Sequence, residues 1–403
     1  MQALTIPRYC SDLLKELGKE STAILDYWME HMVDEVNGGF HGSVDNLNNP
    51  DSGAPKGIVL NSRILWTFSL AYNRTNNESY RRLAERAFNY MLDQFADHEY
   101  GGVYWSVNSG GSVLESRKQI YGQAFCIYGM TEYYKATGSI TALHFSKDLF
   151  GRIEKNSFDE KAGGYFEAFD RKWRALDDQR LSEKDENEKK TMNTHLHIIE
   201  AYANLYGVWK HPLVYDRIVH LLDTFRMHFI DAKTHHLRLF MDENWNSKSS
   251  LVSYGHDIEA SWLLLDCARA INNESYQNLF IQLSLPMLSA AMEGLDADGG
   301  LWYEYDVAKK MLVKEKHSWP QAEALVAFAN AWQLTGDEKW LVQLNRTWEF
   351  IKKNLKDVRG EWFWGINGDK SIMQKEKAGF WKCPYHNYRA CGEVMNRIQI
   401  GKQ

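Results

Sequence analysis

A glycine–aromatic element returns six times along this chain. A repeat of that kind restricts the fold to architectures in which one supersecondary unit packs against its neighbours. The copies are Gly38-Gly39-Phe40, Gly101-Gly102-Val103-Tyr104-Trp105, Gly163-Gly164-Tyr165-Phe166, the weaker His235-His236-Leu237-Arg238-Leu239-Phe240, Gly299-Gly300-Leu301-Trp302-Tyr303 and Gly360-Glu361-Trp362-Phe363-Trp364. They recur roughly every 62 residues, except for about 72 before the fourth, where a charged insertion from Asp177 to Lys190 reads as a loop. A Gly-Gly turn beside alternating aromatic residues reads as a short hairpin.

Between these elements the chain alternates two kinds of helical segment. Asn61 to Tyr72, Ile120 to Thr137, Met192 to Val208, His256 to Ile271, Trp319 to Leu334 and Tyr385 to Ile398 are apolar on most faces. Each of the first five is followed by an amphipathic segment: Tyr80 to Phe95, Thr141 to Ile153, Leu213 to Phe229, Tyr276 to Met292 and Lys339 to Leu355. The sixth amphipathic member is supplied from the other end of the chain, by Ser11 to Met32. A helix apolar all round is buried and an amphipathic one lies at a surface. The expectation is therefore an all-α fold, an (α/α)6 barrel with six inner and six outer helices and short hairpins between the pairs. It forms one domain over residues 1–403. An open solenoid is the alternative, but such arrays want polar capping repeats, and none is seen.

Composition excludes several classes of function. A net charge of −6 lacks the basic face of a nucleic-acid binder and does not favour an anionic membrane. No apolar run approaches the roughly 20 residues that span a bilayer, and the first residues carry no signal-peptide core. Five cysteines, at 10, 126, 267, 383 and 391, show no metal-site spacing and suit a reducing, cytoplasmic compartment. Fifteen Trp, 21 Tyr and 18 Phe fit either a packed core or faces that stack on sugars.

A double ring has a mouth where its inner helices begin, so polar residues in their first turns converge there. They are Arg63; Tyr121 and Gln123; Asn193 and His197; His256 and Glu259; Trp319, Gln321 and Glu323; and His386 and Arg389. His195, two residues from His197, points elsewhere and is read as structural or as a support behind the site. Asn193 and His197 are four apart and share a helical face. His256 and Glu259 are three apart, which suits a base oriented by its own carboxylate or merely a local contact. Histidine exchanges protons near neutrality, which suits removal of a proton α to a carbonyl, and a fixed arginine or histidine would stabilise the resulting enediolate. With no GxGxxG, P-loop or HExxH pattern, the chemistry reads as cofactor-free and metal-free acid–base catalysis. A metal held by His197, His256 and His386 is a competing reading. Another is glycoside hydrolysis by Asp257, Glu259 and Glu323.

The motifs at these positions resemble the N-acylglucosamine 2-epimerase superfamily, and within it the cellobiose 2-epimerases. They are Leu60-Asn61-Ser62-Arg63-Ile64-Leu65-Trp66, Met192-Asn193-Thr194-His195-Leu196-His197, Gly255-His256-Asp257-Ile258-Glu259-Ala260-Ser261-Trp262, Trp319-Pro320-Gln321-Ala322-Glu323-Ala324-Leu325 and Phe380-Trp381-Lys382-Cys383-Pro384-Tyr385-His386-Asn387. The resemblance implies the same barrel and C2 epimerisation of the reducing-end glucose of β-1,4-linked disaccharides such as cellobiose or lactose. Mannose or N-acylglucosamine, and aldose–ketose isomerisation, are the variants within the family. It implies that His256 and His386 form the acid/base pair, that His197 and Arg63 bind the enediolate, and that Glu259 supports His256. Asn193 matches a pocket residue and Trp319 the surface under the reacting sugar. Trp381, Tyr303 and Asp185 resemble the platform for a second sugar, and Tyr121, Glu323 and Arg389 complete the substrate-binding set. Ser318 departs from the pattern, standing where the family often has a tryptophan. The expected partner is a small oligosaccharide, acted on by a monomer.

Overall fold

A computed structural model describes residues 8–400. It contains twelve α-helices: α1 (Arg8–His31), α2 (Ile58–Thr75), α3 (Glu78–Tyr90), α4 (Ile120–Thr137), α5 (Ile140–Asn156), α6 (Met192–Val208), α7 (Pro212–Thr224), α8 (Tyr254–Ala270), α9 (Glu274–Ala291), α10 (Ser318–Thr335), α11 (Lys339–Asn354) and α12 (Tyr385–Ile400). Each expected helix is found with its ends within three residues, counting the five-residue π-turns Met91–Phe95 and Phe225–Phe229 that finish α3 and α7. The even-numbered helices form the inner ring, each packed on the next, and α12 returns to α2. The odd-numbered helices lie outside, with α1 against α12, so a segment from one end of the chain completes the pair begun at the other.

Burial follows the sequence pattern. In α4 every residue from Ile120 to Tyr133 is buried, whereas α3 buries only Tyr80, Ala84, Ala87, Phe88 and Tyr90, the spacing of one helical stripe. Turns between partners are marked by capping. Asn76, Gly138 and Gly336 end α2, α4 and α10 in the left-handed conformation, and the side chains of Asn77 and Ser139 cap α3 and α5. Among the described residues no helix is long and apolar enough to cross a membrane.

The hairpin expectation is corrected in one respect. Each glycine–aromatic turn closes with a single antiparallel bridge, such as Ala96 to Val103; two repeats add a hairpin after it, Ser106–Val107 with Val113–Glu115 and Glu304–Asp306 with Met311–Val313, and every repeat also pairs with its neighbour. Lys56–Gly57 pairs with Ser106–Val107, Lys118–Gln119 with Ala168–Phe169, Lys190–Thr191 with Phe240–Met241, Leu251–Ser253 with Glu304–Asp306, and Lys316–His317 with Gly365–Ile366. Ala378–Gly379 returns to Ser43–Val44 and closes the circle. The strand before each inner helix is thus stitched to the next repeat, which holds the mouths of the inner helices at one level.

The turns themselves need left-handed backbone. Gly101 and Gly102 have φ of 72° and 75°, and His235 and Glu361 take up the same region at 61° in the two degenerate copies. Five of the six turns also carry a buried lysine–aspartate pair that composition alone does not announce. The pairs are Lys56–Asp34, Lys118–Asp97, Lys190–Asp159, Lys316–Asp296 and Lys377–Asp357, at 2.5–2.8 Å. In the fourth repeat Arg238 meets Asp231 instead, at 2.7 Å.

Candidate active site

At the mouth of the inner ring lies a cavity of about 600 Å³, in the range of small-molecule sites. Eleven of the thirteen residues expected to catalyse or bind line it: Arg63, Tyr121, Asp185, Asn193, His197, His256, Glu259, Tyr303, Trp319, Trp381 and His386. Glu323 and Arg389 do not, and form a buried layer beneath it. The insertion after the third repeat reaches over the opening with Leu181, Ser182, Glu183, Lys184 and Asp185. Lys184 donates to the Tyr303 hydroxyl at 2.5 Å, and Asp185 accepts from the Ser182 amide and hydroxyl. Gln123 and Gln321 stay out of the cavity. Each grips a turn instead, Gln123 through both polar groups of Val103 and Gln321 through those of Leu301. His195 does likewise with the Tyr165 amide, as its structural reading predicts.

Four histidines line the cavity. His317 stacks on Tyr303 and turns its Nε2 to Glu315 Oε2 at 2.8 Å, whereas in the other three Nδ1 is already engaged. His197 Nδ1 meets Glu200 Oε2 at 2.9 Å, His386 Nδ1 meets Glu323 Oε1 at 2.5 Å, and His256 Nδ1 meets Ser253 Oγ at 2.8 Å. Nε2 is therefore the nitrogen left for a substrate. The pairing of His256 with Glu259 is not what the structure shows. Glu259 turns instead to Arg389 of α12, whose Nη2 donates to it at 2.8 Å, so sharing a helical face did not decide its partner. Glu200 was not singled out in the sequence, although it lies three residues beyond His197 on the same face, the same spacing that drew attention to Glu259.

Arg389 organises the layer below. Its Nη2 also donates to Glu323 at 2.8 Å, and its Nη1 donates to Glu200 and to the Tyr385 hydroxyl. Tyr385 in turn donates to Glu200 at 2.5 Å, and Trp262 donates to the second oxygen of Glu323 at 3.2 Å. Three carboxylates around one guanidinium cannot all ionise equally. Burial opposes the charge on Glu200, but Arg389, His197 and Tyr385 outweigh it and hold this carboxyl down at about 2. Burial, then the neighbouring Glu323, pushes Glu259 up to about 7. Burial is also the main reason His256 falls to about 3, reinforced by His197, Lys184 and His386. His386 is driven down by burial and then by Arg63 and Arg389. Glu259, Glu323 and His386 are the one potential metal-ligating trio among the described residues, in place of the three histidines weighed from sequence. Arg389 already donates to both of its carboxylates.

Arg63 is buried without a counter-ion. Its guanidinium donates to the Tyr121 hydroxyl at 2.9 Å and the Trp381 carbonyl at 3.3 Å, and stacks near Phe125 and Tyr385. Among the described residues none of its partners is a carboxylate. A buried cation left this way favours an anion brought to it. The Trp319 indole lies 4.9 Å from the His256 ring and 5.6 Å from that of His386. Gly255 makes this possible, because a Cβ there would sit 2.5 Å from the indole.

Comparisons with known proteins agree with this geometry. A family model described as N-acylglucosamine 2-epimerase matches residues 38–390. A cellobiose 2-epimerase from Bacteroides fragilis is 47% identical over 386 residues, covering 95% of this chain and 98% of that one. The structure of a cellobiose 2-epimerase from Bacillus thermoamylovorans superposes with a TM-score of 0.91 at 38% identity, over 96% of this chain and all of the other. A D-mannose isomerase structure, 21% identical, shares the fold with a TM-score of 0.84 over 97% of this chain and 99% of its own.

Proposed function

This chain belongs to the N-acylglucosamine 2-epimerase family, and we propose that it is a cellobiose 2-epimerase, converting the reducing-end glucose of a β-1,4-linked disaccharide to mannose. The observation that carries the reading is the cavity's combination of three histidines with free Nε2 atoms and an arginine with no carboxylate partner. Those are the parts an enolising enzyme needs: bases to move a proton, and a fixed cation for the enediolate oxygen.

In this reading His256 and His386 open the sugar ring and exchange the C2 proton. Burial keeps both imidazoles neutral, so each can accept a proton at Nε2. Both rings lie beside Trp319, and in this reading each reaches one of the two faces of C2 that inversion requires. Removing the proton leaves negative charge on the C1 oxygen beside the C2 hydroxyl, and Arg63 and His197 stabilise it. Trp319 supports the reacting sugar, and Asn193 and Tyr121 fix its hydroxyls. Trp381, Tyr303 and Asp185 receive the second sugar at the mouth, where Lys184 already holds Tyr303. Glu323 and Arg389 act from beneath the cavity rather than on the sugar. Every role falls to a side chain of one polypeptide, so a cofactor-free monomer accounts for the chemistry. Five buried, unbridged cysteines suit a reducing cytoplasm.

The test is incubation with cellobiose in deuterated water. The expected product is the mannose-terminated disaccharide carrying deuterium at C2. Free glucose would indicate hydrolysis, turnover confined to monosaccharides would move the chain to another substrate, and epimerisation without deuterium would remove proton exchange as the mechanism.

A further inference from the structure

His197, His256 and His386 are not held alike. His197 and His386 give Nδ1 to carboxylates, Glu200 and Glu323. Arg389 and Trp262 donate to the two oxygens of Glu323, which favours its carboxylate form and with it a proton on His386 Nδ1. Glu200 accepts from Tyr385 and Arg389 and imposes the same on His197. A carboxylate only accepts, and these two rings are fixed as Nδ1–H. A hydroxyl both donates and accepts.

We propose that Ser253 is a positioning residue that anchors the His256 ring while leaving its tautomer free to change. The proposal rests on the reading of His256 as an acid/base group. Ser253 is fully buried and occupies the N-cap of α8, where a serine side chain ordinarily accepts from a helical amide. Here it caps nothing, whereas Thr191 at the start of α6 caps Thr194. Its hydroxyl is directed to His256 Nδ1 at 2.8 Å instead. Its backbone is fixed by pairing with Glu304, which leaves rotation of the hydroxyl as the remaining freedom.

The consequence is chemical. When Oγ accepts from Nδ1–H, Nε2 offers a lone pair to the substrate. When Oγ–H donates to Nδ1, Nε2 offers an N–H. Passing from the first form to the second takes one proton from cavity water at Nε2 and returns the Nδ1 proton to water, and the hydroxyl turns to follow. His256 can thus present base or acid to the sugar as a neutral ring. That matters where Lys184, His197 and His386 surround it and Glu259 of its own helix is engaged by Arg389. A second carboxylate at position 253 would forbid the N–H form.

The experiment compares the parent with S253A, S253T and H256A on cellobiose, with nitrogen-15 NMR of labelled histidines. The expected S253A phenotype is a fall in kcat of about 10–100-fold with KM within about twofold, most of it recovered in S253T. In the parent, the His256 nitrogens should show averaged shifts between the two tautomers, and His197 and His386 should show Nδ1–H alone. His256 pinned to one tautomer, full activity in S253A, or equal losses in S253A and S253T would each overturn the proposal. Activity persisting in H256A would instead overturn the functional reading beneath it.

Discussion

His386 Nδ1 and Glu323 Oε1 lie 2.5 Å apart although they come from different inner helices, 63 positions apart in the chain. The contact fixes which nitrogen of the proposed acid/base residue faces the sugar. Replacing Glu323 by Gln removes the charge that holds Nδ1–H and offers a competing donor. The expected result is a kcat lower by about 10²–10³-fold with a much smaller change in KM, read by steady-state kinetics. An equal loss confined to KM would assign Glu323 to substrate binding.

Arg63 tests the charge of the intermediate. The Arg63→Met variant keeps most of the volume and removes the cation. Its kcat/KM should fall by about 10²–10³-fold, while its circular dichroism and melting temperature stay close to those of the parent. Retained turnover would show that the enediolate is stabilised elsewhere.

Glu259 gives a pH signature. Its carboxyl is raised from 4.5 to about 7, chiefly by burial. Between those values the folded chain holds a proton that the unfolded chain has released. The stability this group provides is complete below about 4.5 and is lost as the pH rises through about 7. Urea midpoints of the parent and Glu259→Gln, compared across that window, should diverge in favour of the variant as pH rises. The difference should reach about 3 kcal/mol. Parallel curves would show that the carboxyl ionises without hindrance.

Gly255 should tolerate no side chain. In Gly255→Ala the new methyl meets the Trp319 indole and the Pro320 ring, at 2.5 and 2.9 Å. The indole must leave its place beside the two histidines. Activity should drop about tenfold or more, with little change in the unfolding midpoint, because Trp319 borders open space. A variant that matches the parent would show that the indole has no part in positioning the sugar.

The lysine–aspartate pairs of the turns make a prediction about stability. Lys118 and Asp97 are both completely buried, so Lys118→Ala strands a carboxylate that retains only Arg171 as a cation partner. The expected loss is about 3–5 kcal/mol in denaturant unfolding. The double change Lys118→Met with Asp97→Leu should recover much of it.

The barrel was legible because its signals are local. A left-handed turn needs glycine or a close substitute, and a buried helix needs apolar residues on every face, so turn and helix each mark their own positions. The site was legible to the extent that the repeats put its residues at one height. Partners were not. His256 and Glu259 share a face, yet Glu259 is claimed by Arg389, 130 positions away, and His256 by a serine. Gln123 and Gln321 stand at the mouth in sequence but are drawn to turn backbones. Which neighbour a polar side chain selects depends on a third element brought in by the closed ring, and periodicity along one helix contains nothing of that choice.

The ring's closure has a consequence for how the protein comes into being. Within the ring helix α1 is made before every other element and its partner α12 after them, and α12 also brings His386 and Arg389. Until that final helix docks, α1 exposes an unpaired apolar stripe and the cluster of carboxylates has no central cation. Catalytic competence should therefore arrive in a single step, when α12 docks. A chain shortened before α12 should be inactive outright rather than partly active, and a target for chaperones in the meantime.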